Sequence, residues 1–450
     1  MTILNHRYCA DILLEADTPI KIGSGEKGIV NDELCASDAN GLPYIPGTSL
    51  AGVLRHSFDD SELIDGVFGF QNGDNGMGSR LILSEARLVG ENGEVVDGLI
   101  PIDFSKGFYS KFTKLVRRDH CRIDHKGAAD KNNKGKFDSQ AVYKGCRFVF
   151  RIELIGSEKD DVIWNKIIEK LSSPLFRIGS GTRKGFGEFS VKRLDSYTFN
   201  LKNKIEVDKY LNRSSKLTIP QTKYQKQNIH TENIVEYELL LKPDDFFSFS
   251  SGLGDNEVDS VSKKEIVISW QDGKPKFSEE KILIPASSVK GALAHRTAFY
   301  YNKLNGVYAD KNCCKAEDVT GENNEAVKEL FGYAKNSDKN DNYGQRGKVI
   351  IGDVYIDSGK YNEKVFNHVA IDRFTGGSID GALFDEKVTA THEQIDLKIV
   401  VESASIDQKI ISSFESAMKD IATGMLPLGG GTMRGHGCFK GKVRKNGEVI

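Results

Sequence analysis

The stretch YIPGTSLAGVLRHSF, Tyr44 to Phe58, has a counterpart far along the chain, LIPASSVKGALAHRTAF, Leu283 to Phe299. Each reads Ile-Pro, a small residue, two hydroxyl residues, then an apolar pattern opening on small-Gly. Four further stations follow in the same order. VFGF at 67–70 matches LFGY at 330–333, and SRLILSEARL at 79–88 matches GKVIIGDVYI at 347–356. RIDHKGAADKNNKGKFDSQAVYKGCRFVFRIEL from Arg122 matches AIDRFTGGSIDGALFDEKVTATHEQIDLKIVVE from Ala370. IGSGTRKGFGEFSV at 178–191 matches LGGGTMRGHGCFKGKV at 428–443. Chance supplies one such match; five in register make a duplicated domain. The halves are then 1–200 and 233–450, joined by 201–232, a polar segment without apolar periodicity that reads as a linker.

Within each half the expected order is strand, loop, helix, strand, basic or glycine-rich insertion, strand, helix, glycine loop, strand. YCADILLEA and RFVFRIEL alternate as strands do. Thr48 and Ser49 stand where they can cap a helix whose face carries Leu50, Val53, Leu54 and Phe58. VIWNKIIEKLSS and QKIISSFESAMKDIA read as helices. The pattern predicts an α+β, ferredoxin-like core with insertions, written twice.

The 450 residues suit two domains, and 39% hydrophobic content with mean hydropathy −0.39 describes a globular chain. No apolar run is long enough for a membrane span, and acidic residues interrupt the N-terminal stretch where a secretory signal would be apolar. Seven scattered cysteines without a CxxC pair argue against structural zinc and point to a reducing cytosol. A net charge of −2 excludes coating of nucleic acid by bulk charge and leaves room for a local basic groove.

GLPYIPGTSLAGVLR, then RID with GKFDSQAVYKGCRFVFRIEL, then GSGTRKGFGEF resemble the RAMP superfamily of CRISPR-associated proteins. Each half resembles one backbone subunit of a type III effector complex, and the pair resembles the fused double subunit of subtype III-D. The resemblance implies tandem RRM-like folds, a groove for guide crRNA, complementary target RNA as a second partner, and further effector subunits as neighbours. It also implies a β-hairpin thumb that intrudes between guide and target. In catalytic members an Asp on the loop between the first strand and first helix cuts target RNA with a divalent metal, Mg²⁺ or Mn²⁺.

The residues point the same way. Alternate glycines in both glycine loops let backbone N–H groups face phosphate oxygens, and Arg183, Lys184 and Arg434 add charge. The helix start after Ile-Pro offers N–H groups with Thr48 and Ser49, or with Ser287, Ser288 and Lys290; Arg55 and Arg296 lie downstream. The ordinary alternatives are tight turns and capping. The insertion 104–136 is basic, with Arg117, Arg118, Arg122 and several lysines including Lys126, Lys131 and Lys134. Phe104, Phe108, Tyr109 and Phe112 are interleaved, a composition that suits RNA as well as a solvated loop. Ile123 with Asp124, and Ile371 with Asp372 and Arg373, match the family's hairpin entry. Asp32 fits the family's catalytic and metal-binding place. In the second half Asp259, Asp255 and Glu265 compete, with Asp259 preferred, and that half is also readable as binding without cutting. His56 and His295 leave open a metal-independent processing ribonuclease, and a non-catalytic scaffold is the other alternative.

Overall fold

The computed structural model describes residues 4–26, 33–124, 128–130, 135–225, 233–309, 315–334 and 344–450. The strand His6–Ala16 lies at the centre of the first sheet, antiparallel to Arg147–Gly156 on one side and Phe189–Asn200 on the other. Leu81–Leu83 and Arg87–Leu88 pair with the outer side of Arg147–Gly156. Taking the four principal strands in chain order, the sheet runs 4-1-3-2, the ferredoxin-like order. Tyr8, Ala10, Ile12, Leu14 and Ala16 recur at period two and are all buried in one core.

Helix α1, Gly47–Arg55, packs on that core through Leu50 and Leu54. Thr48 and Ser49 do not cap it. The helix begins at Gly47, so both hydroxyls fall inside the first turn, and the flanking residue is Pro46, which has no side-chain acceptor. Gly47 is required by close approach: a Cβ there would lie 2.7 Å from the Leu83 carbonyl. Helix α2, Ser61–Phe68, follows, capped by the Asp60 carboxylate on the N–H groups of Glu62 and Leu63. Helix α3, Asp161–Lys170, buries Trp164 and Ile167.

The described part of the expected linker, residues 201–225, is structured. It contains a helix, α4, Lys204–Leu211, and then a strap that docks on the first domain. Leu217 and Ile219 pack against Leu13, Val89 and Val149 on the back of the sheet, with Trp270 from the second half beside them. The Asp195 carboxylate accepts from the N–H groups of Gln221 and Thr222 at 2.9 Å each, and Asp97 from Leu217 at 2.9 Å. Leu13 faces away from the helices and would otherwise meet water, which is the physical reason for the cover.

The second half repeats the plan. Ile234–Pro243 lies between Ile395–Glu402 and Phe439–Lys445, with Val349–Ile351 outermost. Helices α5 (Ala286–Leu304), α6 (Glu325–Phe331) and α7 (Gln408–Ala422) cover one face and share a core with Tyr237, Leu239 and Leu241. A hairpin inserted before α5, Ile268–Gln271 with Lys274–Phe277, reaches back to the first half. There Phe277 meets Phe108, Phe112 and Tyr143, and Trp270 Nε1 donates to the Gly145 carbonyl at 2.7 Å. No described helix is long and apolar enough to cross a membrane.

Candidate nucleic-acid interface

The first glycine loop, 179–187, turns on four left-handed glycines, Gly179, Gly181, Gly185 and Gly187, with φ between 71° and 92°. It does not stand free. A Cβ on Gly185 would come within 2.8 Å of the Ala286 side chain at the start of α5 and 2.3 Å of Asp353 Oδ1. The glycine loop of one repeat and the Ile-Pro phrase of the next are thus one structure, although the sequence separates them by a hundred residues.

A buried ionic node fixes this joint. Arg118, 4% exposed, donates to Glu265 at 2.8 and 2.9 Å and to the Tyr355 hydroxyl at 3.1 Å. It lies 2.7 Å from Asp353 Oδ2 and stacks on Phe186 of the glycine loop at 4.6 Å. Asp353 Oδ1 in turn accepts the first N–H of α5, from Ala286, at 2.8 Å. Burial pushes the Asp353 carboxyl up while Arg118 pulls it down. Arg183, 8% exposed, donates to the Gly347 carbonyl at 2.8 Å and to Glu402 at 2.6 Å. Arg118 and Arg183 were both expected on RNA. Their guanidinium groups are instead buried between the halves, because desolvated Arg needs carboxylate partners and the second half supplies them.

Beside the joint, cations gather. Lys184 is open to solvent along part of its side chain, while its amine sits over the Phe137 ring at 5.6 Å. Burial, then Lys184 and Arg183, push the Lys290 amine down to about 8. Burial and then Lys21 hold Lys184 below its usual value, with Arg122 adding to the effect. His120 feels the same field: burial, then Lys184, Lys21 and Arg118, push it down to about 4. Depressed lysines surrounded by other cations mark a place where an anion is favoured. Lys21 escaped the sequence reading. Its side chain pairs with Glu33, while its carbonyl accepts from Ser180 in the glycine loop at 2.8 Å, a tertiary contact that spacing does not signal.

The remaining expected residues divide. Thr48 and Ser288 are exposed, Ser49 and Ser287 half-buried. Arg55 is held by Asp65 and the Gly69 carbonyl. Arg296 is paired with Asp420, which also accepts from Tyr300. Arg117 pairs with Asp119 and Asp138, and Arg122 lies near Asp130 and Glu322. Arg434 pairs with Glu386 yet keeps 43% of its side chain exposed. Arg373 is exposed. His56 and His295 are also exposed, and the His56 ring contacts the Gly52 carbonyl of its own helix.

Both expected hairpins exist. The first pairs Val116–Cys121 with Lys136–Ala141, the second Asn362–His368 with Phe384–Ala390. Their outer ends fold alike, with bridges Ile123 to Ala129 and Ile371 to Ser378. His120 stacks on Phe137 at 4.8 Å, and His368 on Phe384 at 4.7 Å. Lys126, Lys131 and Lys134 lie outside the described residues. Phe108 and Phe112 are not offered to bases; both are core residues beneath the hairpin, 6% exposed. Both hairpin ends expose an isoleucine, Ile123 and Ile371, and the second adds Ile379, Leu383 and Phe374, the last 99% exposed.

Asp32 lies outside the described residues. Asp259 is exposed, and its carboxylate accepts from the Asp385 N–H at 3.1 Å where the second hairpin resumes. Asp255 caps its own loop and pairs with Lys387, which helps hold it down at about 2. Glu265 is locked on Arg118. Among the described residues no three His, Cys, Asp or Glu side chains assemble as a metal site.

No curated protein matches the chain. The family model of the RAMP superfamily matches it twice, over residues 13–190 and 271–440, once in each repeat. With tandem ferredoxin-like domains built around these matches, the chain belongs to the RAMP superfamily, and its role is CRISPR-associated RNA binding.

Proposed function

We propose that the chain is a guide-crRNA-binding backbone subunit of a type III effector complex, of the fused III-D kind, working beside other effector subunits. The observation that carries this reading is the crowding of Lys21, Lys184, Lys290 and Arg122 where the first glycine loop meets α5. Burial first, and then the charges of Lys184 and Arg183, depress Lys290, and a guide phosphate at this seam would offset them. The two hairpins act as thumbs, the second presenting Phe374 and Ile371 to split guide from target. The test is binding of a single-stranded RNA to the full chain by fluorescence anisotropy. Combined Lys184→Ala and Lys290→Ala should weaken it about tenfold or more. Unchanged affinity in a folded variant overturns the seam as the guide site.

The reading extends to cleavage of the complementary target. A target 2′-hydroxyl gives up its proton and attacks the adjacent phosphodiester, the bond from phosphorus to the 5′-oxygen breaks, and the products are a 2′,3′-cyclic phosphate and a protonated 5′-hydroxyl; Asp32 and Asp259 are proposed to orient the reacting groups, with Mg²⁺ or Mn²⁺ the expected cofactor. The partners of Asp255 and Glu265 favour a second reading for the second half alone, that it binds without cutting. Cleavage by the assembled guide complex, with Mg²⁺, Mn²⁺ or chelator, separates the two. Loss of one product with each of Asp32→Ala and Asp259→Ala supports two active sites. Loss with Asp32→Ala alone leaves the second half as a binding copy, and unchanged cutting by both removes the catalytic proposal.

A further inference from the structure

The two hairpins hold the same imidazole in different company. His120 and His368 occupy equivalent stations: each pairs across its hairpin with an aromatic residue, Phe137 or Phe384, and stacks on it. On the next rung of that face, Arg118 pairs with Ser139 as Phe366 pairs with Glu386. Each histidine turns Nε2 to that rung. His120 meets the Ser139 hydroxyl at 3.2 Å, and His368 meets Glu386 Oε1 at 2.8 Å. A hydroxyl offers an imidazolium no charge, and the burial and cations around His120 leave it neutral near pH 7. Glu386, 6% exposed, offers His368 a carboxylate instead.

The second glycine loop completes the cluster. Arg434 Nη2 donates to the two oxygens of Glu386 at 2.9 and 3.0 Å, and His436 Nε2 lies 3.9 Å from Oε1. In the first loop the same stations are Lys184 and Phe186. Phe246, Phe366 and Phe384 wall the cluster, and the exposed Lys364 sets its amine over Phe366 at 4.9 Å. The strand alongside, Ser260–Val261, brings Asp259 to the Asp385 N–H, while Lys387 pairs with Asp255 and Glu257. A carboxylate only accepts, so neutral His368 carries its proton on Nε2 and its lone pair on Nδ1. Among the described residues nothing donates to that Nδ1, and it is not a buried atom. The second half thus assembles an oriented base, a second imidazole and two cations, which the first half lacks.

We propose that this cluster is a metal-independent ribonuclease site for single-stranded RNA, with His368 the general base and His436 the general acid. His368 Nδ1 takes the proton of a ribose 2′-hydroxyl, and the 2′-oxygen attacks the adjacent phosphorus. The bond from phosphorus to the 5′-oxygen breaks as protonated His436 gives its proton to that oxygen. The products are a 2′,3′-cyclic phosphate and a 5′-hydroxyl, and solvent returns the proton from His368 to His436. Arg434 and Lys364 balance the charge on the phosphate. Glu386 is a positioning residue, fixing the His368 tautomer and favouring both imidazoliums. The inference rests on the RNA-binding role of the family and on neither Asp32, Asp259 nor the cation seam.

The full chain is incubated with a single-stranded RNA in EDTA from about pH 5 to pH 9, and binding is read by anisotropy in the same samples. Cleavage ending in a cyclic phosphate is expected, bell-shaped in pH and abolished by a 2′-deoxynucleotide on the 5′ side of the cut. His368→Ala and His436→Ala should each lower kcat about a hundredfold or more while RNA is still bound. Glu386→Gln should move the whole bell to lower pH, because both imidazoliums lose their carboxylate; an unmoved bell overturns the cluster as the site. RNA that is bound but left whole in EDTA overturns the inference and leaves the guide-binding reading standing. Cutting that survives in both histidine variants, or on the 2′-deoxy substrate, overturns it as well.

Discussion

The two glycine loops have nearly the same backbone and opposite surroundings. The first is closed over by α5 and holds Arg183 in a buried pair; the second lies open with Met433 in solvent. Glycine fixes the shape of each loop. What the loop does is set by the one side chain between the glycines and by the surface it meets. Glycine and charge alone therefore do not say which residue of such a loop faces outward: Arg183 is buried in an ion pair, while Lys184, its neighbour, reaches the surface.

The comparison breaks most severely at Arg118, which has Phe366 as its register partner in the second hairpin. Arg118→Ala leaves Glu265 and Asp353 buried without their cation, at a cost of about 3–5 kcal/mol. Chemical denaturation should show a lowered midpoint and loss of a single cooperative transition. Exchanging the loop residues is the next test. Arg183→Met removes a charge-assisted bond while Arg346 still serves Glu402, at about 2 kcal/mol. The reverse change, Met433→Arg, should alter folding stability by less than about 0.5 kcal/mol, because the site is in solvent.

The cation seam predicts a pH dependence. A guide phosphate favours the charged form of Lys290, so binding takes up a proton once the free amine has begun to lose it. RNA affinity should be flat below about 8 and fall above it, by at most about tenfold per pH unit. Lys290→Arg should flatten the profile, since guanidinium stays charged. The smallest effect belongs to Lys184→Ala, which should lower the slope of log affinity against log salt by about 0.7, the share of one phosphate contact on a single strand. An unchanged slope would set Lys184 apart from the RNA.

The resemblance implied both hairpins, and the amino-acid sequence itself carried the duplication, the strand alternation of YCADILLEA and RFVFRIEL, and the helix at QKIISSFESAMKDIA. These depend on local period and on turn residues, which are written in order along the chain. It also pointed to the glycine loops and the Ile-Pro phrase as one functional system. It did not reveal that the loop of the first repeat closes on the phrase of the second, nor that Arg118 and Arg183 turn inward. Both facts depend on Glu265, Asp353 and Glu402, distant in sequence and identifiable as partners only once the halves are docked. The strap at Leu217 and Ile219 was hidden for a related reason, since two apolar residues in a polar segment have no period. Phe108 and Phe112 sit in a basic stretch whose composition suits RNA, and only the packing of Phe277 and Tyr143 around them made them core. Periodicity is a local property and survives in the sequence; which side of a charged or aromatic residue meets water is decided by what the tertiary structure brings against it.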